Sequence, residues 1–342
     1  MRESVFSRKI TWFSFAFSLL VIWVHSYNAQ LYLAGTKWLE PIGHLEYAVI
    51  DWLAQIAVPG FFMISGYLFY RNFSMDKLKR KWESRIRSVL VPYILWNFLY
   101  YIGYVIGSRL PWMTEVVGKG VIPLRLSVMV DAVINHTYNY VFWYLFELIL
   151  LILLAPVLYP ILKNKKSRWS FFLILGILLF FDIPLPILNT DALFYYAAAA
   201  SAAMTVPEWI EAEETGEMTW RIGVILIFFG AISYILGLQH RMPMGFVLCR
   251  FLAVTGLWLA VPGQKIPEVK PFMNQNFFLY ATHFGIVRFV NKAFARQFSG
   301  MPAAALILFA VMPILALRIS TLAAKMMQRL TPGLWKILNG GR

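Results

Sequence analysis

Long apolar runs alternate along the chain with short clusters of charge, proline and glycine, and none shows the strict alternation of a half-buried strand. Ten runs predict helices, near 10–33, 47–70, 88–107, 140–161, 169–188, 193–206, 221–238, 246–261, 272–292 and 302–324. Most approach the ~20 residues a helix needs to cross the hydrocarbon core of a bilayer. The sixth, seventh and eighth are shorter and contain alanine or glycine, the pattern of helices broken or buried among neighbours. No period of about 20–50 residues repeats. The expectation is an all-α fold, a polytopic bundle of about ten transmembrane helices, forming one integral membrane domain over 1–342 with no appended soluble domain.

Two runs carry polar residues at helical spacing. Ser14, Ser18, Val21, His25 and Asn28 share one face of the first, and Asn276, Tyr280, His283, Val287 and Asn291 share one face of the ninth. An ionisable group at membrane depth costs at least about 2.5–3.5 kcal/mol, so both stripes are expected to line a polar cavity or face other helices. Two readings of His25 stay open at this point: a functional group, or a histidine tied to a neighbouring carbonyl that glues helices together. Neutral imidazole accepts a proton near pH 7, so either histidine can serve as a general base, with His283 alone read as a lining or orienting group. Glu147, in the middle of FWYLFELILL, needs a proton or a cation partner. Asp182, beside Pro184 and Pro186, reads as hydrated at a helix end, Asp51 as reaching interfacial water, and Arg250 as close to a helix start. Arg288 and Arg318 read as snorkelling side chains.

Composition strengthens the membrane reading. The chain is 60% hydrophobic and 14% charged, against about 45–50% and about 25% in soluble domains. Its net charge of +14 would suit nucleic-acid binding in a soluble protein, but position decides otherwise. With a cytoplasmic N-terminus, 21 of the 31 Lys and Arg fall in inside segments, seven outside and three within spans. That is the positive-inside bias, so both termini are expected in the cytoplasm and no nucleic-acid partner is implied. The chain is expected in the cell (cytoplasmic) membrane as a multi-pass protein, with the lipid bilayer its first partner.

Several chemistries are missing. Walker and Rossmann glycine patterns, an H-E-x-x-H zinc motif and a G-x-S-x-G elbow are all absent. The single cysteine, Cys249, allows no intrachain disulfide. The acidic loop holding Glu208, Glu211, Glu213, Glu214 and Glu217 reads as a solvated connector, and no metal site is expected. The stretch KLKRKWESRIRSVLVPY, Lys77 to Tyr93, concentrates positive charge before a membrane helix. It suits either anionic lipid or the phosphates of a charged donor such as coenzyme A.

Read in order, these segments resemble the acyltransferase-3 family of integral membrane acyltransferases over nearly the whole chain. The resemblance rests on five pieces: the first-helix histidine of WVHS; VPGFFMISGYLFY, Val58 to Tyr70; RIRSVLVPYILWN, Arg85 to Asn97; FWYLFELILLILLAPVL, Phe142 to Leu158; and FFLYATHFGIV, Phe277 to Val287. It implies transfer of an acyl group, commonly acetyl, from cytoplasmic acyl-coenzyme A to a hydroxyl of an extracytoplasmic cell-envelope glycan or small molecule. Acyl-coenzyme A is then a co-substrate, and no tightly bound cofactor is expected. By resemblance His25 is the essential histidine and Arg85 and Arg87 belong to the basic loop. Phe61, Phe62, Ser65, Gly66 and Tyr67 shape the wall of the second helix. One departure stands out: many members have Arg or Lys eleven residues before the histidine, where this chain has Ser14. Donor-side charge is then expected from Arg8, Lys9 or the 71–87 loop.

The expected mechanism gives Arg80, Arg85 and Arg87 the coenzyme A phosphates and His25 the acceptor hydroxyl's proton. Ser14, Ser18, Asn28, Phe61, Phe62, Ser65, Tyr67, Trp143, Glu147, Tyr280 and His283 are expected to line the cavity. The rival class is a proton-coupled transporter or flippase of an envelope precursor, using the two histidine stripes as a relay.

Overall fold

The computed structural model describes residues 2–212 and 216–341, and among them helix is the only regular secondary structure, with no strand. The first predicted run is not one helix. α1 (Arg2–His25) stops at His25, where the Ser26 hydroxyl donates back to the Ile22 carbonyl (2.5 Å), and α2 (Ala29–Leu33) restarts the chain. The second run divides likewise, into α3 (Leu39–Trp52) and α4 (Ala57–Tyr70). α5 (Leu78–Arg85) continues through a π turn, Ile86–Leu90, into α6 (Val91–Gly107). Pro92 has no N–H to close an α-turn there, and a wider turn accommodates the loss.

Two short helices follow, α7 (Thr114–Val117) and α8 (Leu126–Ile134). α9 (Trp143–Leu153) and α10 (Ala155–Lys163) meet at a 65° bend. Pro156 cannot donate to the Ile152 carbonyl, which instead accepts the Trp82 indole N–H at 3.0 Å. α11 (Lys165–Phe180) ends before Asp182, which sits at φ 53° ahead of Pro184 and Pro186. The chain then runs through α12 (Thr190–Thr205), α13 (Pro207–Ile210), α14 (Glu217–His240), α15 (Pro243–Ala260), α16 (Asn276–Phe298), α17 (Pro302–Leu330) and α18 (Pro332–Leu338).

Among the described residues, six helical stretches are long and apolar enough to cross a membrane: Ser4–Leu33, Leu39–Tyr70, Met75–Gly107, Glu217–His240, Pro243–Ala260 and Pro302–Leu330. The bent α9–α10 pair is a seventh if counted as one span. Three of the ten predicted runs fall outside this set. α11 and α12 have 16 residues each, and α16 carries Arg288, Lys292 and Arg296 in its last turns. A short helix is tolerable where neighbours enclose it, and most of α12 is buried against α4, α10, α11 and α15.

The chain forms two compact units. The first comprises 1–17, 55–83 and 147–273, and the second 18–54, 84–146 and 274–342. In the first, α4 and α12 pack backbone to backbone, so closely that a Cβ at Gly66 would run into the Tyr196 carbonyl. α14 and α15 do the same: a Cβ on Gly223 would lie 2.6 Å from the Gly256 carbonyl oxygen, and one on Gly256 2.6 Å from that of Gly223. Small residues at such crossings let backbones approach where lipid offers no hydrophobic drive for association. In the second unit aromatic residues build the core: Phe142 stacks on Tyr280 at 5.5 Å, and the Trp96 indole N–H donates to the Leu338 carbonyl at 3.0 Å.

Candidate active site

His25 ends α1 in the second unit, half-buried at the wall of a cleft of about 410 Å³. Tyr27, Asn28, Gln30, Tyr140, Phe284, Arg288, Asn291 and Lys292 also line it. The end of a helix is where an imidazole can meet an open space, because no further turn covers it. His25 Nδ1 and the Tyr140 hydroxyl are 2.8 Å apart. Behind His25, at 5.4 Å between ring centres, stands His283, with none of its surface exposed. His283 Nδ1–H donates to the Tyr280 carbonyl, which leaves its Nε2 buried without a hydrogen-bond partner. Tyr280 is held in turn by donating to the Val141 carbonyl at 2.6 Å. The ninth-run stripe therefore packs against the histidine of the first: Tyr280, His283, Val287 and Asn291 are all buried.

The loop after His25 is held from a distance. Glu46 of α3, only 2% exposed, accepts the Asn28 N–H on both oxygens (3.2 and 3.0 Å) and the Ala29 N–H at 3.0 Å. It covers the open donors at the start of α2, where negative charge is favoured. Asn28 Nδ2 donates to the Ala305 carbonyl and Asn291 Nδ2 to that of Ser26.

The other predicted lining residues are distributed differently. Ser18 is buried in the second unit with its hydroxyl lacking a hydrogen-bond partner, and Trp143 is half-buried there. Ser14, Phe61, Phe62, Ser65, Tyr67 and Glu147 belong to the first unit. There Tyr67 lines an apolar cavity of about 120 Å³ with Phe6, Phe13 and Trp258, and its hydroxyl donates to Glu211 at 2.7 Å. Among the described residues Glu147 forms no ion pair with a cation. Its Oε2 accepts the Asn189 N–H at 3.2 Å, while the Asn189 side chain caps α12. The acidic loop is more than a solvated connector at Glu211, whose carboxylate receives Arg71 at 2.7 Å through both Nε and Nη2. Glu213 and Glu214 lie outside the described residues.

The basic residues also sort themselves. Arg80 and Arg87 are exposed and Arg85 half-buried. Arg8 donates to the Gly263 carbonyl at 3.1 Å, and Lys9 to that of Trp258 at 2.6 Å, with its ammonium 4.6 Å from the indole centre. Arg288, read as a snorkelling side chain, is tied to backbone at the end of α7. Its Nε and Nη2 donate to the Val116 and Val117 carbonyls at 3.2 and 2.9 Å.

Tyr140 and Lys292 stood out in no stripe and no motif, although both line the cleft. Tyr140 lies 115 residues from His25 in a tyrosine-rich turn before α9, where the sequence carries no periodic signal. A family model described as an acyltransferase domain matches residues 14–320, a span that takes in every residue of this cleft. No curated protein and no solved structure matches the chain.

Proposed function

The chain belongs to the acyltransferase-3 family, and on that premise we propose that it is a multi-pass membrane enzyme moving an acyl group, commonly acetyl, from cytoplasmic acyl-coenzyme A to a hydroxyl of an extracytoplasmic glycan or related acceptor. The observation that carries this reading is His25 at a helix end, on an open cleft, with Tyr140 on its Nδ1. In the tautomer that donates Nδ1–H to Tyr140, Nε2 keeps its lone pair for the acceptor hydroxyl. As the hydroxyl oxygen attacks the thioester carbon, Nε2 takes its proton. The C–S bond breaks, and the leaving thiolate takes that proton back. Such assistance is worth about 10²–10⁴ in rate. Tyr140 fixes the ring and supports the imidazolium formed in between, the part played by the orienting group in a nucleophile–base pair. The exposed cations of the basic stretch, Arg80 and Arg87, with Arg85, supply charge for the coenzyme A phosphates. In this reading α11, α12 and α16 join the longer helices to make about ten spans, with both termini in the cytoplasm of a cell membrane.

The test is thiol release from acetyl-coenzyme A by proteoliposomes, dependent on an added saccharide, with folding matched between wild type and His25→Ala. Loss of at least about 100-fold is expected. Wild-type rates in His25→Ala would remove the assignment. Movement of saccharide across the vesicle without coenzyme A consumption would instead favour the proton-coupled transporter.

A further inference from the structure

The cleft at His25 carries two cations that the acyl-transfer step does not use. Phe284, Arg288 and Lys292 are spaced four residues apart on α16, so they share one face, and all three line the cleft. Both cations are anchored on backbone. Lys292 Nζ donates to the carbonyls of Glu115 and Val116 at 2.7 and 3.1 Å, beside the Arg288 contacts to Val116 and Val117. These are open carbonyls at the end of α7, which closes on Gly118 at φ 60°. Carbonyl dipoles orient a cation without cancelling its charge. Among the described residues neither side chain has a carboxylate within ion-pair distance, and Glu115, the acidic residue of α7, is exposed and acts on Lys292 only from beyond it. Two of the five guanidinium donors and two of the three ammonium donors are committed to these carbonyls. Arg288 also bonds the Tyr104 hydroxyl and stands 5.7 Å from that ring's centre, and the donors beyond these remain for a ligand. Around them stand exposed aromatic faces, Tyr27 and Tyr140, and the amide of Gln30. Such an assortment suits a sugar ring with a negative group attached.

We propose, building on the acyl-transfer reading, that the acceptor is an anionic saccharide, and that Arg288 and Lys292 hold its carboxylate or phosphodiester while His25 addresses a hydroxyl of the same molecule. A neutral acceptor would displace water from two half-buried, pre-oriented cations and offer them no opposite charge, whereas an anion makes charge-assisted hydrogen bonds with both.

The experiment offers matched oligosaccharides to the full-length protein in proteoliposomes with acetyl-coenzyme A. One ends in glucose, one in glucuronate, and one carries a glycerol phosphodiester. Wild type is expected to favour at least one anionic acceptor by about tenfold or more in kcat/KM, with the preference shrinking as salt rises. The two anionic arms distinguish carboxylate from phosphodiester. Arg288→Gln and Lys292→Gln are expected to raise KM for the anionic acceptor about tenfold, with little change for the neutral one, and Arg288→Lys to restore part of the loss. The wild-type comparison decides the matter even if the variants do not fold. Equal use of the neutral acceptor overturns this inference and leaves acyl transfer standing. Absence of thiol release with every saccharide overturns both.

Discussion

Replacing Glu46 by alanine removes the acceptor of two buried backbone donors, the N–H groups of Asn28 and Ala29, in the turn that follows His25. A hydrogen bond to a charged group contributes about 1.5–3 kcal/mol, so two give about 3–6 kcal/mol gross. Burying the carboxylate costs part of this, and releasing that cost leaves a net loss of about 2–4 kcal/mol. The loss is local. The donors belong to the turn at Ser26–Asn28 and the first residue of α2, while α3 keeps its own backbone bonds. Hydrogen–deuterium exchange of a peptide covering 26–33 should therefore accelerate about 30- to 1000-fold, since each 1.4 kcal/mol is a factor of ten. Acyl transfer should fall with it, because His25 closes α1 and the loop that Glu46 holds begins one residue later. Glu46→Gln with its oxygen at the Oε2 position still accepts both N–H groups, and loses the charge and the second contact to Asn28 at Oε1, so its effect should be smaller but in the same direction. Unchanged exchange over 26–33 in Glu46→Ala, with retained activity, would refute the claim that this carboxylate holds the His25 loop.

Tyr140→Phe keeps the ring against Phe284 but removes the hydroxyl from His25 Nδ1; kcat should drop about 10- to 100-fold with thermal stability unchanged, and an unaltered kcat would deny the orienting role. Gly223→Ala pushes a methyl into the Gly256 carbonyl, and overpacking of this kind costs about 1–3 kcal/mol, read as a lower unfolding temperature in detergent. Gly176→Ala, with nothing within 4 Å of the added carbon, is the control and should be neutral or stabilising. Glu211→Gln weakens the two-point contact with Arg71 and the bond from Tyr67; with both charged side chains about a fifth exposed, the expected cost is about 1–2 kcal/mol, falling as salt rises.

The amino-acid sequence on its own determined the membrane character, the all-helical class and the two polar stripes. These depend on run length and on the 3.6-residue period, which are local properties of a chain. His25 and His283 were legible for that reason, each marked by neighbours on its own helix face, and the family resemblance singled out His25. Only the tertiary structure decided where α1 ends. The turn after His25 depends on Glu46, 18 residues beyond Asn28, so an apolar run from 10 to 33 looks continuous until its carbonyls and N–H groups are counted. It also decided that three predicted spans are short or polar, one of them α12, which is enclosed by neighbouring helices rather than long. Tyr140 reaches His25 across 115 residues, and Arg288 reaches the end of α7 across 172. A side chain's meaning at such separations is set by which open backbone group the fold brings to it. That is why Arg288, an ordinary snorkelling arginine by its helix position, becomes an anchored cation facing the cleft.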